Sequence, residues 1–251
     1  MTNLLLGYPD IPFSSSVLAS PSGASALWVI NGGRTYHFTR ATAGTSSTWD
    51  FDLGSGNTAT PAYLYVARAD LIRKRDSAAS TWTLTGSASS SFTSPDTETG
   101  TFNTADLVGP RQEDLLLTSL SYSTAYRYWR FTVTTTASFQ HKFSKVYFGA
   151  WFDFGREPVA PLRIDRQVIT PGARELPNRF RLIWRGISDG TLNSLSSKIL
   201  AHADLNPVIL YDPTELVLPG FTVMHARIVQ SAIAPESMNS NRVELELEEL
   251  I

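Results

Sequence analysis

Short runs of Val, Thr, Tyr, Phe and Trp recur along most of the chain, cut by clusters of Gly, Pro, Ser and Asp. That is the pattern of half-buried strands joined by turns. Such runs cover residues 26–30 and 35–39, with Asn31-Gly32-Gly33 between them as a hairpin turn. Others lie at 63–66, 81–85, 115–120, 128–133 and 145–148. Ser and Thr dominate residues 77–101, but Trp82, Leu84 and Phe92 punctuate the stretch and Thr is a good strand residue, so it predicts strands and not a linker. The pattern changes at Gly155-Arg156-Glu157-Pro158-Val159-Ala160-Pro161, whose two prolines and low apolar content predict a junction between modules. Three segments follow: an N-terminal arm over 1–25, a β-module over 26–155 and a second module over 156–251, with the boundary between residues 155 and 163.

Only the second module carries a clear helix signal. Ser188 or Asp189 can cap it, Leu192, Leu195 and Ile199 fall on one face, and Asn206-Pro207 stops it. Strands flank it at 179–185, 208–211, 221–230 and 242–250. In the first of these, alternation sends Phe180, Leu182 and Trp184 to one side and Arg179, Arg181 and Arg185 to the other. The last repeats the device with opposite charge: Val243, Leu245 and Leu247 against Glu244, Glu246 and Glu248. Three arrangements fit these rows. They face each other across one sheet face, or stand as two solvated faces, or meet between subunits.

Composition narrows the class. With 251 residues, 42% hydrophobic and 18% charged, the chain is long enough for one large all-β domain or two smaller ones. It contains no cysteine, which removes disulfide scaffolds, thiol catalysis and thiolate metal sites. A net charge of -2 argues against sequence-specific nucleic-acid binding, which needs a basic surplus. The N-terminus has no basic region followed by a long apolar run, so neither a signal peptide nor a membrane span is expected.

The strings Ala62-Tyr63-Leu64-Tyr65-Val66-Ala67-Arg68, Trp82-Thr83-Leu84-Thr85-Gly86-Ser87 and Tyr126-Arg127-Tyr128-Trp129-Arg130-Phe131 resemble the galactose-binding-like, discoidin-type jelly roll. That family often binds sugars or lipids through loops at one end of its sandwich. The string from Asn178 through Arg179-Phe180-Arg181-Leu182-Ile183-Trp184-Arg185 to Ser188, then the helix, then Asn206-Pro207-Val208-Ile209-Leu210-Tyr211-Asp212-Pro213 and the 242–250 strand, is similar to the barrel-forming belt of bacteriophage distal tail proteins. The fold class implied is all-β, a jelly-roll sandwich followed by a belt-like β-barrel with one α-helix. The resemblance implies a structural protein of a long-tailed phage tail tip, in a homo-oligomeric ring, a hexamer favoured over a trimer. Its partners would be the tail tube protein, the tail hub and receptor-binding proteins; it would be assembled in the host cytoplasm and located at the virion tail tip. Distal tail proteins usually carry the belt first, whereas here the sandwich precedes it, with residues 4–13 as an arm reaching back. The alternative is a carbohydrate-binding or receptor-binding tail protein with weak glycan contact.

Candidate chemistry is sparse. Trp28, Trp49, Trp82, Trp129 and Trp151 are favoured as core, with Trp49 the exception because of its Gly/Ser/Thr-rich surroundings. Asp50, Asp52 and Asn57, near Gly54 and Gly56, have the composition of a calcium loop, but ordinary turn chemistry accounts for the same residues and is the favoured reading. His37, His141, His202 and His225 lack metal-ligand spacing, and neither HExxH nor GxSxG occurs. No metal, organic cofactor or catalytic activity is expected. The residues assigned to an oligomer interface or channel are Arg179, Arg181, Arg185, Glu244, Glu246 and Glu248.

Overall fold

The computed structural model describes residues 3–9, 17–19, 39–40, 44–67, 80–102, 107–108, 114–139, 141–143, 145–159, 162–164, 178–202, 208–214, 217 and 222–249. In chain order its strands are β1 (Leu5–Pro9), β2 (Val17–Ala19), β3 (Thr39–Arg40), β4 (Gly44–Asp52), β5 (Tyr63–Ala67), β6 (Thr81–Ser87), β7 (Asp96–Thr101), β8 (Leu107–Val108) and β9 (Asp114–Leu117). There follow β10 (Tyr128–Phe139), β11 (Lys142–Phe143), β12 (Lys145–Asp153), β13 (Leu162–Ile164), β14 (Arg179–Ile187), the helix α1 (Asp189–Lys198), β15 (Val208–Tyr211), β16 (Val223–Ser237) and β17 (Ser240–Glu249). The chain is all-β with one α-helix among the described residues, and none of its helices is long and apolar enough to cross a membrane. The expected strand at 26–30 and its turn lie outside the described residues.

The chain divides into residues 9–150 and a second unit made of residues 1–8 with 151–251. In the first, strands β2-β4-β10-β6-β7 form an antiparallel sheet, and β12-β5-β9-β8 form a second antiparallel layer. Strict alternation makes the sandwich. Trp49 and Phe51 of β4, Leu84 of β6 and Trp129, Phe131 and Val133 of β10 share one buried cluster with Leu64, Val66, Leu115, Leu117 and Val146 of the other layer. Gly86 is part of that fit: a Cβ there would stand 2.5 Å from the Tyr126 ring and 2.9 Å from Trp129. Residues 44–52 correct the sequence expectation. They form a nine-residue strand, not a Gly/Ser/Thr-rich loop, because Ser47, Trp49 and Phe51 alternate inward.

The second unit has the strand order β13-β14-β17-β16-β15-β1-β12 and wraps one cluster as a half-barrel. Leu4 and Leu6 at the chain start join it, with β1 paired to β15 as Leu5↔Tyr211 and Gly7↔Ile209. Phe180, Leu182 and Trp184 of β14 meet Val243, Leu245 and Leu247 of β17, and Trp184 stacks on Phe154 at 4.0 Å. Ser188 caps α1 by accepting a hydrogen bond from the Thr191 amide, and the helix buries Leu195 and, just past its end, Ile199. The α-helix closes at Lys198 and tightens into a 3-10 turn at Leu200–His202, short of the Asn206-Pro207 stop expected. That stop lies outside the described residues.

β16 contains a bulge. Ile228 opposes Leu247 but Gln230 opposes Glu246, so Val229 is an extra residue. Beyond it Ser231 and Ile233 oppose the inward Leu245 and Val243.

Candidate functional site

The Arg row and the Glu row lie on neighbouring strands of one sheet. β14 and β17 are antiparallel with Arg179↔Glu248, Arg181↔Glu246 and Ile183↔Glu244 as partners. Because Phe180, Leu182 and Trp184 are drawn inward with Val243, Leu245 and Leu247, the intervening charges must share the outer face. Of the three arrangements the sequence allows, the first holds within a single chain.

Each glutamate lies between two guanidinium groups. Arg179 donates through Nε to Glu248 Oε2 at 2.6 Å and through Nη1 to Glu246 Oε1 at 3.0 Å. Arg181 stands 3.2 Å from Glu244 Oε1 and 3.6 Å from Glu246 Oε2. Arg227 of β16 donates to the other oxygen of Glu248 at 2.8 Å, and Arg242 donates to Glu244 at 3.0 Å. The result is one continuous ladder running Arg227, Glu248, Arg179, Glu246, Arg181, Glu244, Arg242. Although they sit on the outer face, Glu246 and Glu248 are only 9% and 7% exposed. Burial by itself would raise the Glu248 carboxyl. The hydrogen bonds from Arg179 and Arg227 outweigh it and hold the group below the ordinary glutamate value.

Arg185 departs from the row. It is exposed and pairs with Glu236 at 3.7 Å, where β14 bulges between Trp184 and Ile187. Gly186 sits in that bulge with φ +67°, its amide donates to Glu236 at 2.9 Å, and the Arg156 guanidinium fills the space a Cβ would need. Chemically the ladder is a fixed array of four guanidinium groups and three carboxylates, one positive charge in excess. Every carboxylate in it is committed to arginine, so it presents a rigid charge pattern and no free acid or base.

The candidates in the other unit do not converge on a ligand site. Trp49 is fully buried, stacked on Phe131 at 6.0 Å with its edge relation to His141 at 6.5 Å, so it offers no ring face to a sugar. Its strand parity, inward with Phe51, is the reason. Asp50 and Asp52 point outward, and each is held bidentately. Arg130 donates to Asp50 at 2.6 and 2.8 Å while lying 4.1 Å over the Phe92 ring, and Arg127 donates to Asp52 at 2.6 and 2.8 Å. The Arg127 hydrogen bonds lower the Asp52 pKa, helped by the Gly54 amide. Asn57 donates to the Leu53 carbonyl, which is turn chemistry. Among the described residues no three His, Asp or Glu side chains gather as a metal ion requires.

Sequence reasoning did not find Arg227 and Arg242 as ladder partners, Glu236 as the partner of Arg185, nor Arg127 and Arg130 as partners of the two aspartates. Their only signal is strand register, which becomes visible once the pairing is known.

No family model matches the chain, and no curated protein matches it. Among solved structures it is similar to the chain described as "CpGH89CBM32-6 produced by Clostridium perfringens", at 10% identity and a TM-score of 0.37, over 55% of this chain and 97% of that one. A likeness at that level carries neither fold nor ligand over to this protein.

Proposed function

We propose that this protein is a structural component of a long-tailed bacteriophage tail tip, resembling distal tail proteins. In it the half-barrel unit makes ring contacts and the sandwich decorates the outside. The observation that carries this is the Arg/Glu ladder. A surface ion pair in isolation contributes about 0–1 kcal/mol. A continuous ladder, each link braced by the next, fixes many charges in one geometry and favours partners that match its potential in a single register. That suits a joint between tail tube, hub and receptor-binding apparatus better than it suits a ligand pocket. Sequence resemblance in 178–188 and 206–213 supplies the phage context. The proposal assigns no catalysis and no cofactor.

Native mass spectrometry of the full chain tests it. A closed symmetric oligomer, with six copies expected before three, supports the ring, as does antibody labelling at the distal end of virion tails. A chain that stays monomeric at all concentrations and binds a glycan array overturns it in favour of a receptor-binding protein.

A further inference from the structure

The β16–β17 hairpin is unevenly covered. β17 is buried or half-buried along its whole length, whereas every residue of β16 from Val229 onward is exposed. Topology is the cause. β15 has four residues and pairs with β16 only from Val223 to Ala226. Past Ala226, among the described residues, β16 has β17 on one side and no strand on the other. Among the described residues, three of the four exposed large apolar side chains, Val229, Ile233 and Met238, lie on this hairpin. Ile233 opposes the fully buried Val243, so it forms an apolar lip at the rim of the half-barrel core.

An open edge of this kind is a template for another strand, and folded chains usually blunt it with charge, proline or a bulge. Here such devices stand only at the ends: Arg227 and the Val229 bulge at one, Pro235 and Glu236 at the other. Between them Gln230-Ser231-Ala232-Ile233-Ala234 is uncharged and uninterrupted. The edge is also held in place. Glu236 accepts from the Gly186 amide, and the Ser237 and Ser240 hydroxyls are 2.7 Å apart at the turn. A docking strand would therefore meet a surface that is already ordered, which lowers the cost of association.

We propose that residues 229–235 receive a strand from a second copy of this chain, an assignment that rests on the ring proposed above. The occupant follows from the sheet itself. At its opposite margin β13 pairs, among the described residues, only with β14. Each copy thus carries one long edge that accepts a strand and a different edge that offers one. Pairing of two unlike edges is heterologous, and it repeats head to tail until the rotation closes a ring. Main-chain hydrogen bonds supply affinity, and covering Val229 and Ile233 supplies the apolar part.

The test uses the full chain and its Ile233→Lys variant, followed by light scattering across a concentration series and by amide hydrogen exchange. The expected result is a wild-type oligomer whose amides at 229–235 exchange at least roughly tenfold more slowly than in the diluted monomer. The variant is expected to stay monomeric where wild type assembles, with an unchanged far-UV spectrum. Should the variant fold poorly, the wild-type exchange pattern decides alone. A wild-type oligomer whose edge amides are no slower than in the monomer overturns the edge assignment and leaves the ring standing. A wild-type chain that never assembles overturns the ring, and the second copy as occupant with it.

Discussion

Two sheets in this molecule carry arginine–carboxylate pairs on their outer faces, and they use them differently. In the five-stranded sheet of residues 9–150, Asp50 takes Arg130 of the neighbouring strand, Asp52 takes Arg127 just before that strand begins, and the pairs stop there. Hydroxyls fill the positions beyond: Thr48 with Thr132 at 3.1 Å, Thr85 with Thr97 at 3.2 Å and Thr83 with Thr99 at 3.3 Å. In the half-barrel, Glu replaces Asp and recurs at every second position opposite a strand whose Arg179 and Arg181 face it. The longer carboxylate reaches both the residue directly across and its diagonal neighbour, so pairs join into a ladder. One methylene and a repeated period separate isolated clamps from a network.

The largest effect expected is in the core that gives the ladder its parity. Trp184→Ala removes a fully buried ring stacked on Phe154, and denaturant unfolding should show a loss of about 3–5 kcal/mol. Glu248→Ala leaves Arg179 and Arg227 without a shared acceptor at a 7% exposed position, and should cost roughly 1–3 kcal/mol by the same measurement. Acid titration sharpens the point. A carboxyl held low in the folded state contributes stability that is complete above its unfolded value, about 4.3 for glutamate, and is lost as pH falls through the lower folded value. Glu248→Gln should flatten the stability–pH curve in that acidic window and leave it unchanged at neutral pH apart from a constant offset. A Glu248→Gln curve parallel to wild type would remove the ladder's claim to special electrostatics. Asp50→Ala should cost at most about 1 kcal/mol, since its partner Arg130 is one third exposed and the pair has no further links. Raising salt should erase most of the Asp50 effect before it erases that of Glu248, because exposed pairs are screened more than buried ones.

Much of this was legible in the sequence where one strand face is buried and the other charged. Arg179 through Trp184 and Val243 through Glu248 announce their faces by alternation alone, and Ser188 announces the helix start. The β4 strand was hidden because Gly44-Thr45-Ser46-Ser47-Thr48 has the composition of a loop, and only Trp49 and Phe51 betray the period. β16 runs to Ser237, well past the expected end at residue 230, for the opposite reason. Where neither face of a strand is buried, no hydrophobic period exists to be seen. The carboxylate partners were illegible on another ground: which arginine meets which acid depends on register across 69 residues, in the case of Arg179 and Glu248, and local pattern holds no record of it.

The bulge at Val229 acts on β16 as a phase shift acts on a periodic signal. Up to Ile228 the even-numbered residues face the core; after it the odd-numbered ones do. Pairing Val229 with Glu246 in an unbroken ladder would leave the downstream composition intact yet invert its meaning. Gln230 would fall opposite Leu245, where Ser231 stands, while Ile233 would be carried from the rim of the core to a place opposite Arg242, on the face that bears the charges. A strand stores its orientation in a count, and a single extra residue is enough to rewrite everything that follows it.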